Sequence, residues 1–179
     1  SRFGLIYASA QKNVGPAGLT IVIIRDNLLD QCMGITPAVF NYGLQARNNS
    51  SINTPPTFSV YIAGLVFAWL LESGELAVVG QQNKQKAERL YAMIDADEFY
   101  HCPVVPTDRS QMNVCFHLSD PSLKIEFLNQ AEKQGLLNLK GHGVTGGIRA
   151  SLYNAMPPEG VDALIGFMQD FSAGHSTLR

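Results

Sequence analysis

The chain has 179 residues, 46% of them hydrophobic and 16% charged, with a formal net charge of −2. That length holds one large or two small domains, and the apolar content is enough for a packed core. The near-neutral charge, without a basic stripe or a block of like charge, argues against nucleic acid as a partner, and no apolar run reaches the ~20 residues of a membrane helix.

Cys32, Cys102 and Cys115 are odd in number, widely spaced and outside any C-x-x-C pattern, so they read as reduced, structural thiols of a cytoplasmic protein. No signal-peptide pattern is present. The chain opens on Ser1-Arg2 and enters Phe3-Gly4-Leu5-Ile6-Tyr7 almost at once, which reads as a cut inside a domain.

Residues 3–8 and 19–25 are short runs rich in apolar and β-branched side chains, expected as strands. The second, Leu19-Thr20-Ile21-Val22-Ile23-Ile24, is apolar at nearly every position and calls for cover on both faces, which nothing upstream in this chain supplies. Residues 26–51 are rich in turn formers and expected to be mostly irregular. Next, Phe58, Ile62, Leu65, Val66, Trp69 and Leu70 recur at helical spacing; Thr54 is the expected N-cap, Pro55 the first helical residue, and Gly74 the stop.

A second helix is expected over 81–94, with Ala87, Leu90, Tyr91 and Ile94 on one face, and the break at 74–80 is the candidate domain boundary. Met112, Val114, Phe116 and Leu118 alternate as a strand, 123–134 reads as an amphipathic helix, and 148–153 alternates again. A last helix over 159–173 turns Val161, Leu164, Ile165, Met168 and Phe171 inward. Strand and helix in alternation predict a small α/β domain with a mixed or antiparallel sheet.

Three stretches carry possible chemistry. Lys12 follows a strand end, where open α/β sheets collect ligands, and a partly desolvated amine is a usable nucleophile or base; the bland alternative is a solvated loop lysine. Asn53 and Thr54 stand at a helix start, where free N–H groups suit a phosphate; the alternative is a plain N-cap. In Gly141-His142-Gly143-Val144-Thr145-Gly146-Gly147-Ile148-Arg149 the glycines admit a ligand close to the backbone, and Arg149 lies opposite Ile148 and Ala150, suited to a carboxylate; a tight turn and an edge-strand arginine explain it equally well. His101, His117 and His175 lack metal-ligand spacing and read as structural or surface residues.

Taken together and in order, residues 7–20, Asn53-Thr54-Pro55-Pro56-Thr57-Phe58, Leu139-Lys140-Gly141-His142 and residues 146–155 resemble the phosphoserine aminotransferase family, in its enterobacterial branch. These are pyridoxal phosphate enzymes of the class V aminotransferase group with the fold-type I α/β architecture. The resemblance implies that residues 1–75 end the large cofactor domain with an interface helix and that 76–179 form the small carboxyl-terminal domain. It implies that Lys12 forms the Schiff base with pyridoxal 5'-phosphate and then shuttles the substrate proton. Gln11 is implied to contact the cofactor phosphate, and Asn53 and Thr54 to reach the cofactor phosphate of the other subunit across a homodimer. His142 is implied to hold the substrate phosphate and Arg149 the substrate α-carboxylate.

The implied reaction exchanges an amino group between L-glutamate and 3-phosphohydroxypyruvate, serving serine biosynthesis and, through a four-carbon analogue, pyridoxine biosynthesis. Two departures stand out. Gly143 occupies the place of an expected arginine, and the first half of the family's chain, with the ring that stacks on the cofactor and the aspartate that holds its pyridine nitrogen, has no counterpart here. The chain alone is therefore expected to be inactive. Rival readings are another class V enzyme, such as an alanine-glyoxylate aminotransferase or a cysteine desulfurase, and a non-catalytic interaction module.

Overall fold

The structure, a computed structural model, describes residues 2–143 and 146–176. The chain divides into two compact units, one ending at Ser73 and one beginning at Gly74.

In the first unit β1 (Leu5–Ser9) and β2 (Thr20–Ile24) pair antiparallel, with Leu5 opposite Ile24 and Ser9 opposite Thr20. Both strands stay largely open to solvent, Tyr7 at 74% and Ile23 at 62%, so the described residues do not provide the two-sided cover that the apolar pattern calls for. Residues 26–51 hold more local order than expected: single 3-10 turns at Asp26–Leu28 and Ala38–Phe40, then α1 (Tyr42–Arg47). Asn41 caps α1 by accepting from the Leu44 N–H at 3.0 Å. At the other end the Ser50 N–H donates to the Gln45 carbonyl at 2.8 Å and Asn49 takes φ +48, a Schellman ending with asparagine in the left-handed position.

The helix α2 (Thr57–Glu72) starts later than expected. Neither the N-cap at Thr54 nor the helical Pro55 holds, because a residue before proline is driven out of the α region and Pro55 precedes Pro56. The Pro56 carbonyl takes the first helical bond, from the Val60 N–H at 3.0 Å. The buried face also differs. Ser59 and Ala63 are buried and Ile62, Val66 and Leu70 half-buried, whereas Phe58, Leu65 and Trp69 of the same apolar series are exposed. Small side chains face inward because the 15–18 loop lies close: a Cβ on Gly15 would sit 3.5 Å from the Ala63 nitrogen. A helix apolar all round belongs to an interior larger than this unit. Among the described residues no single helix is long and apolar enough to cross a membrane.

The break expected over 74–80 contracts to Ser73-Gly74, and α3 (Glu75–Ala96) begins immediately. Gly74 has φ +99, and a Cβ there would meet Val78 Cγ2 at 2.8 Å, so glycine alone suits the junction. Gly80 sits inside α3 rather than outside it, at a cost of only about 1 kcal/mol relative to alanine.

The second unit is built on an antiparallel sheet of β3 (Tyr100–His101), β4 (Asn113–Leu118) and β5 (Ile148–Ser151), in that order, with α4 (Lys124–Lys133) and α5 (Pro158–Ser176). β5 stops two residues short of the expected Tyr153. One sheet face sends Val114, Phe116, Leu118, Ile148 and Ala150 into a core shared with Leu90, Phe127 and Met168. Edge-to-face rings tie it together; Phe127 and Phe167 have centroids 4.9 Å apart. The other face carries Cys115, His117 and Arg149.

The β3–β4 connection is clamped to α3 by Arg109, which donates to both carboxylate oxygens of Asp95 at 2.6 and 2.8 Å and lies over the Tyr91 ring. The Arg109 hydrogen bonds hold the Asp95 carboxyl below its ordinary value of 3.8. A depressed carboxyl stabilises the fold fully above its unfolded value and loses that contribution as pH falls through the folded one. Asp95→Asn should therefore flatten the acid side of the stability profile below about pH 4, read by urea melts followed by circular dichroism. The change is small, because the carboxylate is half-exposed and screened; an unaltered acid slope would remove the clamp from the acid response.

Candidate active site

The chain turns sharply after β1. Ala10 is wholly buried, and its carbonyl accepts from the N–H groups of Lys12 at 2.7 Å, Val14 at 3.2 Å and Gly15 at 2.8 Å. The Ala10 N–H donates in turn to the Leu19 carbonyl at 2.9 Å. Three donors on one oxygen fix the backbone of the turn while the side chains of Gln11 and Lys12 remain exposed. Ser59 in α2 anchors the far end of the loop, its hydroxyl donating to the Ala17 carbonyl at 2.9 Å. The result is a primary amine displayed on rigid backbone past a strand end.

Asn53 and Thr54 lie on the exposed segment before α2, with Asn53 Nδ2 donating to the Thr54 carbonyl at 3.3 Å. The late start of α2 leaves the first-turn N–H groups of Thr57, Phe58 and Ser59 without intrahelical acceptors. The Lys12 turn packs on Ser59 and Ala63 of that same helix, so the two segments flank α2.

In the second unit His142 and Arg149 belong to one hairpin. Lys140 bridges Ile148, the Gly141 N–H donates to the Gly147 carbonyl at 3.1 Å, and the Arg149 N–H donates to the Leu139 carbonyl at 2.8 Å. A Cβ on Gly141 would collide with the Gly146 carbonyl, and one on Gly147 would lie 2.9 Å from the Phe116 carbonyl oxygen, so both positions exclude a side chain. His142 is exposed near the tip; Val144 and Thr145 of the same motif lie outside the described residues. Arg149 faces away from Ile148 and Ala150, as the alternation predicts, and its Nε is sealed from solvent without a hydrogen-bond partner among the described residues. A buried unpaired guanidinium N–H is costly, and a carboxylate is the ligand that would satisfy it.

Residues 1–164 match the family model for class-V aminotransferases. The chain belongs to the class-V aminotransferase family. Phosphoserine aminotransferase of Nitrosomonas europaea is 55% identical over 177 residues, covering 98% of this chain and 48% of that protein. Among solved structures, phosphoserine aminotransferase from Bacillus circulans subsp. alkalophilus superposes with a TM-score of 0.94 at 42% identity, covering 97% of this chain and 48% of that one. The pyridoxal phosphate-bound phosphoserine aminotransferase of Trichomonas vaginalis gives 0.88 at 41% identity, covering 93% and 48%. The chain thus spans about half the length of the curated relatives it matches, and its α/β fold is that of the class-V enzymes.

Two side chains of this class-V chain escaped the sequence reading. Lys86, 3% exposed, donates to the Tyr153 and Met156 carbonyls at 2.9 Å each, and Asn83 donates to Asn154 Oδ1 at 2.8 Å. Together they tie the segment after β5 to α3, and burial lowers the Lys86 pKa. The signal was present: Lys86 stands four residues before Leu90, on the stripe that goes inward.

Proposed function

We propose that this chain is the carboxyl-terminal half of a phosphoserine aminotransferase, moving an amino group between L-glutamate and 3-phosphohydroxypyruvate in the cytoplasm. The likeness to phosphoserine aminotransferases across nearly the whole chain carries this reading. Residues 1–75 are the end of the large cofactor domain and 76–179 the small domain, a division supported by the compact units on either side of Ser73-Gly74.

The donor set fits pyridoxal 5'-phosphate: an exposed primary amine on a pinned turn suits an aldehyde, and the amides of Gln11 and Asn53 with the Thr54 hydroxyl suit a phosphate. When bound, that group supplies the electron sink for charge developing at the substrate α-carbon. Lys12 holds the cofactor and, once released, carries the proton to and from the α-carbon as general base and acid. Gln11 contacts the cofactor phosphate; Asn53 and Thr54 serve the site of the second subunit in a homodimer. Arg149 fixes the α-carboxylate with its planar fork, and His142 holds the substrate phosphate.

The exposed faces of β1, β2 and α2 support further protein on this unit, namely the amino-terminal half and the second subunit. Gly143 leaves the phosphate pocket one cation short of the family pattern, a loss of about 1.5–3 kcal/mol if uncompensated. With the amino-terminal half present, phosphoserine should be the preferred donor over alanine and cysteine in steady-state assays, and preference for an unphosphorylated donor would refute the assignment. The 179-residue chain alone should bind pyridoxal phosphate poorly. A stable visible absorbance that vanished in Lys12→Ala would overturn that second statement.

A further inference from the structure

The sheet face opposite the core is basic. Strand register sets His101 opposite His117 and Cys115 opposite Arg149, and alternation places these four on one face with Asn113 and Ser151. None of the six is acidic. Ser151 and Asn113 are hydrogen-bonded to each other at 3.1 Å. By contrast, Arg149 Nε is buried and has no hydrogen-bond partner among the described residues. The imidazole of His117 lies against the base of the glycine loop: a Cβ on Gly147 would stand 2.9 Å from Cε1 and 3.1 Å from Nε2.

We propose that His117 is a specificity-determining residue that donates a hydrogen bond to the substrate phosphate, on the same sheet face as the Arg149 that receives the carboxylate. The identity of the ligand rests on the phosphoserine aminotransferase reading. His117 is diagonal to Arg149 across the β4–β5 pair, a spacing of about 7–8 Å between backbones that accommodates a short substrate with an acid group at each end. The planar fork of arginine takes the carboxylate, while a phosphate offers more acceptor oxygens than His142 alone can satisfy. Gly143 contributes no side-chain donor, and Gly147, which has none either, lets the loop backbone rest on the ring. His117 thus supplies the donor that the loop lacks.

The test is kinetic, in the complete enzyme. His117→Leu keeps the bulk under Gly147 but removes the donor, and His117→Gln keeps an N–H. Leucine should lower kcat/KM for phosphoserine about tenfold or more relative to unphosphorylated serine, with glutamine restoring most of it. Equal losses for both donors would make His117 a structural seat and overturn the proposal, as would no loss. Independently of turnover, the His117 ring-proton NMR signal should move on titration with inorganic phosphate, and an unmoved signal overturns the proposal as well. Should phosphoserine fail as a substrate while that signal still moves, the substrate reading falls and the anion site stands.

Discussion

Lys12→Ala in the complete enzyme should lower kcat by about 10³-fold or more while leaving the fold intact. The turn that displays Lys12 is held by backbone donors on the Ala10 carbonyl, and alanine keeps the N–H that donates at 2.7 Å. The side chain is exposed while the turn is held by backbone hydrogen bonds, so unfolding free energies should agree to about 0.5 kcal/mol. Activity and stability therefore separate cleanly at this position. Lys12→Arg should be as inactive as alanine, because a guanidinium keeps the charge but is neither a nucleophile nor a base near neutral pH. Small primary amines added to Lys12→Ala should restore part of the proton transfer, in proportion to their basicity. Turnover near the parent level in either variant would remove Lys12 from the chemistry.

The fold was legible where a single period ran through an element. Val114, Phe116 and Leu118 alternate and are buried; Leu90 and Ile94 mark one helical stripe and lie in the core. Where no stripe existed the sequence misled. α2 is apolar on every side, so its pattern singles out no inward face, and close approach of the 15–18 loop selects Ser59 and Ala63. β3, with two residues, and α1, with six, are too short to show a period. The N-terminus of α2 was misplaced because proline was read as a helix starter without its effect on the proline before it.

The site was legible unevenly for related reasons. Alternation alone set Arg149 on the face away from Ile148 and Ala150, but its unpaired Nε depends on packing that no local pattern encodes. Lys12 is an ordinary loop lysine by local criteria, and only the distant Asn53-Thr54 and His142–Arg149 segments raised its standing. His117 is a surface or structural histidine by sequence, and the neighbours that suggest more come from strand register: His101 lies sixteen residues earlier and Gly147 thirty later. Lys86 stands on the buried stripe of α3, but its charge by itself points to solvent.

Arg149→Leu should cost catalysis and not stability. In the free protein the guanidinium is half-buried with one N–H sealed and unpaired, so removing it relieves that cost and offsets the packing lost with the shorter leucine, leaving the unfolding free energy little changed. In the proposed role the balance reverses with substrate, because two charge-assisted hydrogen bonds to a carboxylate would vanish together. The expected loss in kcat/KM is about 10²-fold or more, expressed mainly in KM. Glutamate and phosphoserine both present an α-carboxylate, so KM should rise for both, whereas His142→Ala should raise it for phosphoserine and spare glutamate. Arg149→Lys should recover little, since an ammonium cannot reproduce the planar fork. If Arg149→Leu lowered stability sharply and left both KM values untouched, the arginine would be a structural strand residue and the carboxylate would have to bind elsewhere.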